Sequence, residues 1–327
     1  MKGLFVSPSP HRGTEMSTAK IMLMVIIALL PAAIAGCVFF GLRAALVLAV
    51  SVISCVVFEA LCRVVMKREQ TVSDLSAIVT GLLLGMNLPA TAPIHAVVIG
   101  SFIAIVVIKQ LFGGIGQNFA NPALAARIVL MLSFGEGMTT WVAPYWYKSV
   151  DVVTSATPLS ASWINYTENG VNYKMAPFSL TEMFLGVTGG CIGETCAAGL
   201  IIGGLFLIVT KIISPCAPAA FIGSFALLTF LYTGSAVETV YGVLAGGLLI
   251  GAFFMATDYA TTPVTAKGKI IFGLGCGIIT FVIRSFGNFP EGVSFAIILM
   301  NLLTPYIDKL TLTNPFGAKK PVKAENK

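Results

Sequence analysis

The chain has 327 residues, of which 57% are hydrophobic and only 10% are charged, and its mean hydropathy is +0.92. Soluble domains average about 25% charged residues, so this composition excludes a soluble globular protein. The net charge of +6 does not indicate nucleic-acid binding, because the basic residues of a polytopic membrane protein mainly report its orientation.

Repeated apolar runs of about 20 residues predict an all-α bundle of transmembrane helices rather than a β-barrel. We expect a polar arm over 1–20, a five-helix repeat over 20–134, a loop domain over 135–179, a second five-helix repeat over 180–308 and a basic tail over 309–327. The predicted helices 1 to 10 cover 20–41, 44–66, 74–88, 93–111, 121–134, 193–213, 217–233, 238–256, 268–285 and 291–308.

The distribution of basic residues predicts the orientation. An even number of helices places both termini on one side of the membrane, and most Lys and Arg residues fall at the helix ends on that side. Cytoplasmic loops of membrane proteins carry the excess of Lys and Arg. Both termini are therefore expected in the cytoplasm, and the 135–179 loop domain is expected on the extracytoplasmic side.

The two halves resemble each other in sequence. Gly81–Gly85 leads to the run Ala90–Pro93, and Gly247–Gly251 leads to the run Ala260–Pro263. Because each half has five predicted helices, the second half would be inverted relative to the first. In such folds, short or glycine-interrupted helices at matching positions mark the central binding site, which here are predicted helices 3 and 8. Chance similarity between glycine-rich membrane helices is the alternative.

Ionisable residues inside predicted helices or at their ends are functional candidates, because a charge in lipid is costly. Glu59 lies four residues before Arg63, so the two can pair on one helix face, which leaves an ion pair and an ion site both open. Arg127 can bind a phosphate or carboxylate, or extend to the interface. Asp258 and Asp308 end predicted helices 8 and 10, where water can also solvate them.

The link between predicted helices 4 and 5 contains Gly116, Asn118 and Asn121, followed by Pro122. Glycines let the backbone approach a flat ring closely, and an Asn side chain both donates and accepts hydrogen bonds. Asn121 and Pro122 form a typical helix start, and a helix N-terminus suits a polar or anionic ligand. Placed between two halves of a repeat bundle, this link predicts a ligand site.

The seven cysteines do not predict a disulfide framework. Their count is odd and most lie inside apolar runs, which is typical of buried thiols. Only Cys191 and Cys196 are closely spaced, and without further Cys or His they are weak evidence for a metal. The chain also has no nucleotide fingerprint and no nucleophile–base pair.

The loop domain contains the stretch Asp151-Val-Val-Thr154-Ser155-Ala156-Thr157. Its small polar residues predict an exposed loop that a modifying enzyme can read. The stretch resembles the acceptor motif for covalent flavin attachment, Asp-x2-(Ser/Thr)-Gly-Ala-Thr, in which a flavin transferase joins FMN through its phosphate to the last threonine. Ser155 replaces the usual glycine, and the acceptor would be Thr157.

Further motifs follow in the order seen in the RnfD/NqrB family of membrane redox subunits, and the resemblance covers essentially the whole chain. NqrB subunits carry a longer N-terminal extension than the short arm here, which favours the RnfD branch and leaves an NqrB-like subunit as the alternative. These motifs are Ser9-Pro10-His11, Leu30–Ala33, Asn118–Asn121, Gly193-Glu194-Thr195, Phe254–Asp258 and Pro290–Ala296 with Asn301 and Asp308.

By this resemblance the protein is a multi-pass subunit of the bacterial cytoplasmic (inner) membrane. It would pass electrons within a Na+ or H+ pump that works between ferredoxin and NAD. The resemblance implies covalent FMN on Thr157, outside the cytoplasm, and non-covalent riboflavin within the bundle. The expected riboflavin contacts are Asn118 and Asn121, which match contact positions in the homologous subunit. Further expected cofactor-binding residues are Gly116, Arg127 and Thr257.

The implied partners are the other subunits of the complex, of the RnfA, RnfB, RnfC, RnfE and RnfG type, and a flavin transferase. Those subunits would handle NAD and ferredoxin. We expect Glu59, Asp258 and Asp308 to lie on an ion path whose cation affinity rises when a buried flavin is reduced. The rival classes are a urea- or ammonium-type channel or carrier, which leaves the Thr157 loop without a role, and a scaffold subunit with no cofactor.

Overall fold

The computed structural model describes residues 16–148, 157–159, 164–168, 171–175, 178–287 and 291–312. Over these residues the chain is helical apart from one short hairpin, which confirms the predicted all-α membrane class. The helices are α1 (Thr18–Phe40), α2 (Leu42–Val65), α3 (Ser76–Met86), α4 (Ile94–Gln110), α5 (Pro122–Ser133), α6 (Gly135–Thr139), α7 (Leu180–Leu185), α8 (Ala197–Val209), α9 (Cys216–Thr233), α10 (Ala236–Leu244), α11 (Leu248–Met255), α12 (Ala266–Phe286) and α13 (Val293–Thr311).

Among the described residues, five helices are long and apolar enough to cross a membrane: α1, α2, α9, α12 and α13. Helices α10 and α11 pass the same test together as one broken span, and α3, α4, α5 and α8 are shorter apolar helices. These segments begin and end within about four residues of the predicted ones. The number of crossings, their orientation and the inverted repeat stay predictions.

The outer surface of the bundle is apolar, as lipid requires. Leu42, Val65, Leu231 and Leu310 are each at least 70% exposed. Several charged side chains in the helices of the first half are instead buried, among them Glu59 of α2, Lys109 of α4 and Arg127 of α5. A water-soluble fold has the opposite distribution, because its largest exposed apolar patches are small.

Small residues one helical turn apart allow the helices to pack closely. Gly81 and Gly85 of α3 lie against α2, where the Ser51 hydroxyl donates to the Gly81 carbonyl oxygen at 2.7 Å. Gly199 and Gly203 of α8 lie in the same way against α1, and two glycines of α12 lie against α9. Close backbone approach through small residues is the usual means of helix association in lipid.

The predicted helix 238–256 is broken into two helices in the structure, in agreement with its prediction as a glycine-interrupted helix. Helices α10 and α11 meet at a bend of 67°. Gly246 at the bend has φ +65°, a conformation that favours glycine, and α11 ends in a π-helical turn, Gly251–Met255. The glycine pattern of this helix predicts an interruption, and such breaks form binding centres in repeat-built transporters.

The predicted loop domain contributes α6 and an antiparallel hairpin of β1 (Ile164–Glu168) and β2 (Val171–Met175), which the sequence analysis did not predict. Its aromatic segment closes over the C-terminal end of α1. Trp146 Nε1 donates to the Phe40 carbonyl at 3.2 Å, and the Tyr147 hydroxyl donates to the Val38 carbonyl at 2.9 Å.

We expect the substitution Gly203→Ala to destabilise the protein. A Cβ at this position would clash with the Ala28 carbonyl oxygen, so α8 and α1 would have to separate. Overpacking of this kind costs about 1–3 kcal/mol. The thermal unfolding midpoint of the purified protein should fall for Gly203→Ala and stay unchanged or rise for Gly223→Ala, where a Cβ meets nothing within 4 Å. Equal midpoints for the two variants would contradict the packing described.

Candidate functional site

A cavity of about 750 Å³, including the space at its open mouth, lies between the first and second groups of helices. We call it the central cavity. Four residues singled out by the sequence analysis line it: Asn118, Asn121, Thr257 and Asp258. Small-molecule sites are mostly apolar with a few polar groups. The central cavity therefore has the lining of a cofactor site.

The two asparagines have different roles in the structure. Asn121 caps α5, because its Oδ1 accepts the backbone N–H groups of Ala123 (3.1 Å) and Leu124 (3.3 Å), while its Nδ2 donates to the Met255 carbonyl (3.4 Å) at the end of α11. Asn118 Oδ1 is buried and has no hydrogen-bond partner among the described residues. A buried acceptor without a partner costs about 1–3 kcal/mol. Asn118 is thus the residue that a polar ligand here would satisfy.

Asp258 forms an acidic edge of the central cavity, in the link after α11. Its carboxylate accepts hydrogen bonds from the Thr261 hydroxyl (3.2 Å) and from the Ala260 backbone N–H (3.4 Å). Burial raises the pKa of the Asp258 carboxyl above its ordinary value, while these hydrogen bonds oppose the shift. The neighbouring Thr257 hydroxyl donates within its own helix, to the Phe253 carbonyl at 2.6 Å.

Lys109 also lines the central cavity, and its contacts contradict the predicted partner of Glu59. Its Nζ lies 2.7 Å from Glu59 Oε2 and 2.6 Å from Ser76 Oγ, and Glu59 Oε1 also accepts from the Thr71 hydroxyl at 3.0 Å. The predicted pairing of Glu59 with Arg63 is wrong, because α4 packs against α2 and brings a lysine to the carboxylate. Both members of the observed pair are buried.

Arg127 is buried among polar groups from both halves of the chain. Its guanidinium pairs with Glu291, just before α13, and donates to Asn87 Oδ1 at the end of α3. It also lies 3.3 Å from Cys191 Sγ. Of the alternatives for Arg127, carboxylate binding is the one observed, and the carboxylate is the protein's own. Arg127 is not among the described residues that line the central cavity.

Thr157 is only 5% exposed, so the prediction of an exposed loop is wrong at this residue. It lines a small cavity of about 260 Å³ with Thr188, Glu194 and Thr195, closed by the backbone at the bend between α10 and α11. We call this the Thr157 cavity. The burial follows from tertiary packing against this bend. The remaining predicted motif residues, which lie outside the described residues, are Asp151, Thr154, Ser155 and Ala156.

A larger space of about 630 Å³ begins directly beside Thr157, along Pro158 and Leu159. Phe225, Phe281 and Arg284 contribute to its walls, so we call it the aromatic cavity. The Thr157 cavity is the smaller of the two spaces. Flat aromatic walls and a guanidinium also suit a planar ring.

The sequence analysis also singled out four residues that do not line the central cavity: Asp308, Gly116, Cys191 and Cys196. Asp308 accepts the backbone N–H of Val264 at 3.1 Å. Gly116 has φ +83° and open space around it. Cys191 and Cys196 are buried free thiols, and Cys196 Sγ accepts a backbone N–H at the start of α8.

Sequence reasoning missed two residues that the structure places at cavities, Lys109 and Glu194. Lys109 lies near the end of predicted helix 4 and was given no role in the sequence analysis, although it directly follows an apolar run. An ionisable residue in such a run is a functional candidate by itself. Glu194 entered the sequence analysis only as part of a family motif, and its side chain had no assigned role.

Comparisons with known proteins cover nearly the whole chain. The family described as NQR2, RnfD, RnfE matches residues 5–317. The chain is 47% identical to the D subunit of the Na+-translocating ferredoxin:NAD+ oxidoreductase complex of Acetobacterium woodii, over 99% of this chain and 98% of the relative. It is 43% identical to the D subunit of the proton-translocating ferredoxin:NAD+ oxidoreductase complex of Clostridium ljungdahlii, over 98% of each. It is 36% identical to the D subunit of the ion-translocating oxidoreductase complex of Stutzerimonas stutzeri, over 92% of each.

We expect Lys109→Met to destabilise the protein strongly, because it leaves the buried Glu59 carboxylate without its cation. Removal of one partner of a buried pair costs about 3–5 kcal/mol. The thermal unfolding midpoint should fall clearly below that of the exposed control Lys267→Met, and the double variant Glu59→Leu, Lys109→Met should recover much of the loss. Additive losses in the double variant would show that the two charges are not coupled.

Proposed function

The chain belongs to the NQR2, RnfD, RnfE family, and on that premise we propose that it is the membrane-embedded RnfD-type component of an ion-translocating ferredoxin:NAD+ oxidoreductase complex. It carries electrons through the membrane part of the complex on two flavins, riboflavin in the central cavity and FMN joined to Thr157. The whole-length identity to relatives of the RnfD type supports this branch of the family over an NqrB-like subunit. The family match gives no support to the alternative of a urea- or ammonium-type channel or carrier.

The observation that carries the riboflavin proposal is the central cavity. Its walls are predominantly apolar and include Phe253 and Phe254. Asn118 Oδ1 is buried there and lacks a partner in the described part of the chain. An amide oxygen in this position accepts a hydrogen bond from a ring or ribityl donor of the ligand. The residues present therefore fit the group.

The FMN proposal rests on the acceptor motif and on the surroundings of Thr157. The phosphoester would lie at the Thr157 cavity, and the ring would have the aromatic cavity next to it, between Phe225 and Phe281. Because Thr157 is buried in the folded chain, the flavin transferase would act before this packing is complete or would displace it. The transferase and the other subunits, of the RnfA, RnfB, RnfC, RnfE and RnfG type, are the partners that this function requires.

The flavin supplies the electron transfer, and the protein supplies position and electrostatics. Asn118 orients the ligand by hydrogen bonding, and the apolar walls of α8 and α11 exclude water from it. Lys109 places a positive charge on the lining of the central cavity, and Asp258 places a carboxylate there. Charges at fixed positions in a poorly solvated site shift the free energy of adding an electron.

Coupling to an ion is the second part of the proposed function. Asp258, Glu59 and Asp308 are our candidates for the ion path. Asp258 lines the central cavity, and the Lys109–Glu59 pair adjoins it. One relative is named for Na+ and another for proton translocation, so family membership is compatible with either ion.

The covalent flavin gives the first test. When the complex is produced with the flavin transferase, the denatured subunit should fluoresce under ultraviolet light in a gel, and Thr157→Val should abolish this fluorescence. Thr188→Val is the matched control, because Thr188 lines the same cavity and should leave the band fluorescent. A dark wild-type band would refute covalent attachment.

The non-covalent flavin gives the second test. Asn118→Ala should weaken the affinity for riboflavin about tenfold, so the purified complex should retain less of it. A tenfold loss is the effect of removing one buried hydrogen bond worth about 1.4 kcal/mol. Riboflavin is measured after acid release, which leaves covalent FMN on the protein. The neighbouring exposed residue supplies the control, Gln117→Ala, which should retain riboflavin like the wild type. Full retention in Asn118→Ala would remove Asn118 from the site.

A further inference from the structure

Two buried polar side chains meet where α2 and α4 end, and they have unused hydrogen-bonding atoms. Arg63, in the last turn of α2, is 8% exposed, and Gln110, the last residue of α4, is 0% exposed. Arg63 Nε and both amide atoms of Gln110 have no hydrogen-bond partner among the described residues. Both side chains lie against Gly114 in the link after α4, because a Cβ there would be 2.6 Å from Arg63 Nη2 and 3.8 Å from Gln110 Oε1. We call these three residues the Arg63 cluster.

The Arg63 guanidinium forms no ion pair with any residue that the structure describes. Glu59, one turn earlier on α2, is paired with Lys109 instead. Of the two acids in the link after α2, Glu69 is exposed, and Asp74 accepts hydrogen bonds at the start of α3. A buried charge without a partner is costly, so a guanidinium in this position requires an anion.

Further positive charge flanks the Arg63 cluster. Lys67 and Arg68 follow α2 directly and are exposed, and Arg68 Nη1 donates to the Gln110 carbonyl oxygen at 3.4 Å. The negative end of the α2 dipole favours cations here, but it supplies no hydrogen-bond partner to Arg63 Nε. Three cations thus lie at one helix end with a single exposed acid, Glu69, in the same link.

The surface beside these cations is apolar. Val64 and Val65 of α2, and Leu111 and Phe112 directly after α4, are each more than half exposed. Side chains of this kind at the ends of membrane-spanning helices contact lipid. Basic pockets between such helices bind the headgroups of anionic lipids. A cationic group next to an exposed apolar surface is the complement of an anionic amphiphile.

We propose that the Arg63 cluster binds the phosphate of an anionic phospholipid of the phosphatidylglycerol class. The Arg63 guanidinium and Gln110 Nε2 donate to phosphate oxygens, and Gln110 Oε1 accepts from a headgroup hydroxyl. The acyl chains lie along the exposed apolar side chains of α2. Phosphatidylglycerol offers a net negative charge and hydroxyl groups, whereas phosphatidylcholine offers neither.

The lipid site is independent of the proposed flavins, because none of its three residues lines a cavity described above. It lies on the side that the basic residues predict to be cytoplasmic. Gln110 directly follows Lys109, which lines the central cavity. A lipid bound to both helix ends would therefore hold α2 and α4 together next to that cavity.

The test counts the phosphatidylglycerol that the purified, assembled complex retains from mixed micelles, by mass spectrometry after extraction. Arg63→Gln should lower this count by one molecule per complex. Gln110→Met, which keeps the length of the side chain but loses both unpartnered amide atoms, should raise the Kd of that lipid about tenfold. Arg43→Gln is the control, because Arg43 is an exposed arginine at the other end of α2, and its count should equal that of the wild type. Gln110→Met decides the question if Arg63→Gln does not assemble.

Unchanged phosphatidylglycerol count and affinity in assembled Arg63→Gln and Gln110→Met complexes would overturn the site. Equal retention of phosphatidylcholine by the wild type would overturn it as well, since that lipid has no net charge. A parallel measurement with ³²P-labelled inorganic phosphate separates the two sources of a phosphate group. Phosphate binding that Arg63→Gln abolishes, with no lipid retained by the wild type, would assign the Arg63 cluster to soluble phosphate and refute the lipid.

Discussion

The buried ion pair between Arg127 and Glu291 is the interaction on which the centre of the molecule depends. It joins α5 of the first half to the start of α13 in the second, and Asn87 at the end of α3 shares the same guanidinium. A lone charge at this depth would be expensive, so each partner fixes the other. The pair and its hydrogen bond to Asn87 therefore tie together the end of α3, the middle of α5 and the start of α13.

Much of the helical framework could be predicted from local patterns. Apolar run length set the position of each span, and Asn121 with Pro122 correctly marked the start of α5. These features depend on neighbouring residues in the chain, which is why local patterns predict them. The family resemblance, rather than a local pattern, named Asn118, Asn121 and Thr257 as cofactor contacts, and the structure lines one cavity with these three residues and Asp258.

The features that escaped prediction depend on packing between distant segments. Glu59 pairs with Lys109 across α2 and α4, a separation of 50 residues that spacing along one helix cannot reveal. Thr157 is buried because it packs against the bend at Gly246, which belongs to another part of the sequence. Tertiary context decided each of these cases.

The central claim is that the protein carries a flavin covalently on Thr157, and peptide mass spectrometry tests it most directly. The subunit is isolated from complex produced with the flavin transferase and is then digested. We predict that the peptide containing Thr157 is heavier than its unmodified mass by one FMN less one water, and that fragmentation assigns the addition to Thr157. An unmodified Thr157 peptide, or the same addition on another residue, would contradict the account.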